Sequence, residues 1–142
     1  MDDPYNLQRF VDAQAPVIEQ VWEELRRGRK TSHWMWFVFP QLKGLGHSWM
    51  AAKYAISSLA EADAYLRHSI LGPRLIKCTR LVNSVDGRSV HQIFGSPDDM
   101  KFRSSMTLFG QVAGANEVFS DALERYFHAQ PDPATISLLV HG

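Results

Sequence analysis

Residues 33–41 read His33-Trp34-Met35-Trp36-Phe37-Val38-Phe39-Pro40-Gln41, with four aromatic side chains in the six positions 34–39 and a proline directly after them. Wound as a helix, this segment is apolar on every side, so the rest of the chain has to cover it. Pro40 ends any helix begun there. The segment is therefore expected at the centre of the core, with Trp36 deeply packed. A chain of 142 residues is long enough to bury such an element in one domain and short for two.

Elsewhere the hydrophobic period is helical. Leu7, Phe10 and Val11 open a pattern that resumes after Pro16 as Val17, Ile18, Val21, Trp22 and Leu25. Gly28, set among Arg26, Arg27, Arg29 and Lys30, reads as a helix end, where a left-handed cap and cations are favoured. Ser58 and Glu61 have the spacing of a capping box ahead of Leu59 to Leu66. Leu71, Leu75, Cys78, Leu81, Val82 and Val85 recur at three and four and stop at Asp86-Gly87. Ser96-Pro97-Asp98-Asp99 combines a cap residue, a first-turn proline and two carboxylates at the positive end of the dipole. Asn116 and Asp132-Pro133 open two more helices.

Strand candidates reduce to Trp34–Phe39 and Val90–Phe94; neither alternates, and both are more economically helical turns. No repeat, low-complexity tract or linker interrupts the chain. The expectation is an all-α, single domain over residues 1–142, a compact bundle of about six to eight short helices around the aromatic segment.

Composition excludes several functions. Fifteen basic residues balance fifteen acidic ones, so no global field favours non-specific nucleic-acid binding or an anionic membrane surface. The longest apolar run falls far short of a membrane span, and the acidic start is no signal peptide, which leads to an expected cytoplasmic location. Cys78 is the only cysteine, ruling out an internal disulfide and any site built from several thiolates. On an apolar helix face it is expected to be buried and unreactive. The six histidines, at 33, 47, 68, 91, 128 and 141, include no pair at the spacing that places two metal ligands on one helical face. No metal and no cofactor is implied, and the oligomeric state is left open.

The flanks of the aromatic segment carry what chemistry there is. His33 precedes it, and Gln41, Lys43, Gly44, Gly46, His47 and Ser48 follow within eight positions, so polar tips gather beside an apolar wall, the usual make-up of a ligand site. Trp36 could stack a flat ring and Gln41 could read a polar edge. Residues 44–48 could present backbone N–H groups to a phosphate, although a plain turn between helices explains the glycines better, and neither a dinucleotide fingerprint nor a P-loop is present. A second polar group, Lys101 with Ser104 and Ser105, lies on the helix opened by Asp98 and Asp99. Close helix packing explains the two hydroxyls about as well as ligand contact. His33 or His47 could exchange a proton near neutral pH if a reaction occurs.

The order of these pieces resembles the domain-of-unknown-function family numbered 1810. The likeness rests on residues 33–41 with Gly44-Leu45-Gly46, on Tyr54-Ala55-Ile56, on Ala64 to His68 and Leu71 to Leu75, and on Ile93-Phe94-Gly95, Asp98, Lys101 and Ser104 to Phe109. It runs from about Leu7 to Leu139. It implies a compact helical domain and no activity, and it carries over no catalytic residues. Ala129 stands where a glycine before the Asp132 turn is usual, and Phe102 where leucine is common. A calpastatin name sometimes attached to similar proteins does not suit this chain, because that inhibitor is disordered and repeat-bearing.

Two functions follow from these residues. One is a cleft between residues 33–48 and the 97–109 helix for a small polar metabolite, phosphate-bearing or a nucleotide, bound or processed. The other is a non-catalytic interaction module that uses the aromatic segment as an exposed anchor. An exposed apolar patch over Trp34 to Phe39 separates the second from the first.

Overall fold

Pro16 divides the first apolar pattern in two. In the computed structural model, which describes residues 2–141, α1 (Gln8–Gln14) stops before it and α2 (Ile18–Arg26) starts after it. Gly28 ends α2 with a φ of +72°, a left-handed conformation that costs a residue without a Cβ little. Eight further helices follow among the described residues: α3 (Met35–Val38), α4 (Trp49–Lys53), α5 (Leu59–Arg67), α6 (Leu71–Asn83), α7 (Val90–Phe94), α8 (Asp98–Gly110), α9 (Val118–Phe127) and α10 (Pro133–His141). The total of ten exceeds the expected six to eight. The surplus is α3, α4 and α7, which have four or five residues each, too few to display a hydrophobic period. No strand occurs among the described residues; a single parallel bridge joins Leu42 and Ile56. No described helix is long and apolar enough to cross a membrane.

Side-chain caps set the starts of α4, α5 and α7. Ser58 Oγ accepts from the Glu61 amide at 3.1 Å, but the Glu61 carboxylate does not complete a capping box. It takes the Ser57 amide and hydroxyl at 2.9 and 2.7 Å and pairs with Arg9 at 3.0 Å. The reciprocal box is found instead at α7, between Ser89 and Gln92. Asn116 Oδ1 accepts from the Val118 amide at 3.0 Å, but it stands one residue ahead of the cap position of α9, which Glu117 holds with no side-chain cap. Ahead of α8 it is Pro97, not Ser96, that occupies the cap position, and it makes no side-chain cap.

The central position expected of the aromatic segment belongs to α8, which packs against α5, α7, α9 and α10. From Phe102 to Phe109 only Arg103 is not buried. Phe102 stacks on Phe94 with ring centroids 4.8 Å apart and meets Phe39 edge-on at 5.1 Å, so the end of the aromatic segment lies against α8 rather than at the middle of the fold. Trp34, Met35, Phe37, Val38 and Phe39 are buried. Trp36 is half-buried, a correction to its deep placement. Cys78 is buried on α6, and burial pushes its thiol up to about 12, the inert state expected for it.

Candidate functional site

The half-buried face of Trp36 opens on a cleft of about 460 Å³, within the roughly 300–1,000 Å³ range of small-molecule pockets. Its floor is made by Met35, Trp36 and Phe39. One wall is the stretch from Gln41 to Ser48 without Leu45, α4 contributes Ala51 and Ala52, and Tyr54 and Ala55 return the chain to the floor. Lys101, projecting from α8, closes the remaining side.

The base of this wall is held by backbone. The Ile56 amide donates to Gln41 O at 2.9 Å, and the Lys43 amide donates to Ile56 O at 2.8 Å. Between these two bonds residues 43–55 form a closed loop. Gly44 turns it at a φ of +102°, and Gly46 lies so close to α4 that an added Cβ would stand 2.5 Å from that of Ala51. Ser48 caps α4, its Oγ accepting from the Ala51 amide at 3.0 Å. The two glycines and the serine therefore have structural duties as well as places in the lining. No amide of residues 44–48 donates to another backbone group among the described residues.

The charge of the lining is one-sided. It contains Lys43, His47 and Lys101 and no carboxylate among the described residues. Lys101 Nζ lies 5.5 Å from the centroid of the Trp36 ring, a cation–π arrangement, and 3.6 Å from Asp98 Oδ1. The Gln41 side chain is half-buried and makes no hydrogen bond to the described protein, leaving its amide free at the cleft.

Of the ten residues singled out in the sequence, Trp36, Gln41, Gly44, Gly46, His47, Ser48 and Lys101 share this cleft. His33, Ser104 and Ser105 do not. His33 precedes α3 and is exposed. Ser104 Oγ bonds Met100 O at 3.1 Å and Asp132 Oδ2 at 3.0 Å, and Thr107 Oγ1 accepts the Asp132 amide at 2.9 Å. These hydroxyls tie α8 to the start of α10. Ser105 is fully buried, with no hydrogen-bond partner for its Oγ. Neither hydroxyl lines the cleft. Nor is the aromatic segment an exposed anchor, since five of its six residues from Trp34 to Phe39 are buried. The strongly exposed tryptophan is Trp49, at 71%.

The residues not foreseen are Lys43, mentioned only as a flank, together with Tyr54 and the alanines of the opposite wall. Tyr54 is buried against Phe10 and Phe37 at 5.8 and 5.4 Å, and only closure of the 43–55 loop brings it to the cleft. The sequence also gave no sign of Glu24. That buried carboxylate accepts from the Thr31 and Ser32 amides, the Ser32 hydroxyl, Gln20 and Trp34 Nε1. Burial pushes its carboxyl up, but the bonds from Ser32, Thr31, Gln20 and Trp34 outweigh this and hold it at about 2. Glu24 fixes the turn that leads into the aromatic segment.

Nine of the fifteen lining residues, Trp36, Gln41 and Lys101 among them, fall in the stretches that carry the family likeness. No curated protein matches the chain. Among solved structures it is similar to a conserved hypothetical protein, Rv1873, from Mycobacterium tuberculosis, with 58% identity and a TM-score of 0.96 over 99% of this chain and 100% of that one. With a family model matching residues 4–139, the chain belongs to the family of proteins of unknown function designated DUF1810.

Proposed function

We propose that the cleft binds a small anionic metabolite in which a phosphate group is joined to a flat ring, as in a nucleotide. The observation that carries this reading is the combination of an aromatic floor at Trp36 and Phe39 with a rim of Lys43, His47 and Lys101 and no carboxylate. A flat ring against Trp36 gains apolar burial and stacking. The anion then meets the ammonium of Lys101, and the amides of Gly44, Gly46, His47 and Ser48, residues of the same lining, donate to no other described backbone group. The free amide of Gln41 supplies both a donor and an acceptor to a ring edge.

A thermal-shift series tests this with adenosine 5′-monophosphate, other nucleoside monophosphates, sugar phosphates and their unphosphorylated counterparts. A ligand present at about 100 times its Kd adds about 2.7 kcal/mol, read as a rise in Tm. Phosphorylated members should raise Tm and their neutral counterparts should not. Gln41→Ala and Lys101→Met should keep the unliganded Tm within about 2 °C and lose the shift. A series with no shift, or a shift that survives Lys101→Met, would sink the reading.

A further inference from the structure

Lys101 is not free to meet a ligand on its own terms, because Asp98 lies one turn before it with Oδ1 3.6 Å away. A lysine paired wholly with a carboxylate offers little field to an anion. The other oxygen of Asp98, however, is taken by Lys30, whose Nζ is 2.9 Å from Oδ2. Lys30 is the more enclosed partner, its side chain 9% exposed against 29% for Lys101. Its own amide donates to Ile93 O at 2.7 Å, which anchors it to α7. The two ammonium groups also divide the aromatic segment between them: Lys30 Nζ sits 5.1 Å from the Trp34 ring centroid and Lys101 Nζ 5.5 Å from that of Trp36.

We propose that Lys30, which lines no part of the cleft, determines its affinity for anions by occupying Asp98, so that Asp98 orients Lys101 without neutralising it. Two cations and one carboxylate leave one positive charge, and burial of Lys30 places that charge on Lys101, at the cleft. Lys30 is a specificity-determining residue and Asp98 a positioning residue. The inference rests on the reading of the cleft as an anion site, and it assigns the charge to which that site owes its preference.

The test uses 1-anilinonaphthalene-8-sulfonate as a flat anion and N-phenyl-1-naphthylamine as its neutral counterpart, with Kd taken from fluorescence titration of folded variants. Lys30→Met hands Asp98 wholly to Lys101 and should weaken the anion about tenfold while leaving the neutral probe unchanged. Lys30→Arg should keep the wild-type value. Lys30→Met combined with Asp98→Asn frees Lys101 again and should return within about twofold of wild type, a rescue that a merely stabilising ion pair cannot produce. A second readout needs no ligand: acetylation of Lys101 by acetic anhydride, followed by peptide mass spectrometry, should slow about threefold in Lys30→Met and recover in the double variant. An unchanged Kd and labelling rate in Lys30→Met, or a double variant no better than Lys30→Met, overturns the proposal. If the wild-type protein binds neither probe, the anion-site reading fails by itself, and the labelling rates still decide whether Lys30 governs Lys101.

Discussion

Two tryptophans two positions apart have opposite surroundings. Trp34 is 1% exposed, and its Nε1 donates to Glu24 at 3.0 Å, whereas Trp36 has one face at the cleft. Trp34→Ala removes a large buried ring and a donor from a buried carboxylate, so it should cost about 3–5 kcal/mol. Trp36→Ala should cost less than about 2 kcal/mol, because its ring fills no closed cavity. Urea melts of the two variants check the order, and equal losses would place Trp36 back in the core. The Glu24 carboxyl, held at about 2 against its ordinary 4.5, contributes about 3 kcal/mol, present above the unfolded value and lost as pH falls through the folded one. Wild-type stability should therefore drop between pH 4.5 and pH 2. Glu24→Gln should start lower and lose about 3 kcal/mol less over that window, as thermal melts against pH would show.

Among the elements, α10 depends most on one side chain. Asp132 Oδ2 accepts the Thr135 amide at 3.2 Å and the Thr135 and Ser104 hydroxyls at 2.6 and 3.0 Å. It both starts the helix and joins it to α8. Arg103 adds to the junction by donating to Gln130 O and Pro131 O, each at 3.1 Å, so it is not engaged with Asp99 across one helical turn. Asp132→Ala should cost about 1–2 kcal/mol, and most of the loss should appear as fraying of α10, measurable as faster amide exchange over Pro133–His141 with α8 unaffected. The cap was legible in the sequence because it is local. The Ser104 and Thr107 bonds were not, because they span 28 and 25 positions.

For the whole molecule, stability should be uneven in a way set by burial. Eight helices contribute buried apolar side chains to a single core, while α4 has no buried residue and α10 buries only Thr135. Native-state hydrogen exchange should find α6, α8 and α9 opening only with global unfolding, and α4 and α10 opening well below it. A slow α4 would show that the cleft wall is more firmly held than its burial indicates.

The sequence by itself determined the helical class, most helix starts and the presence of an aromatic segment that water cannot solvate. Those features follow from periods of three and four, from caps within three positions of the residues they serve, and from side-chain hydrophobicity, all local or additive properties. It also singled out seven residues that share the cleft, six of them because the flank of a segment is necessarily near it. Only the tertiary structure decided that α8, and not the aromatic segment, occupies the centre, since which of two apolar helices is enclosed depends on what packs around each. It likewise decided that Ser104 serves α10 and that Lys30 and Lys101 share Asp98, 68 and 3 positions away. Pairings of that kind depend on how helices cross, and no period or cap records the crossing.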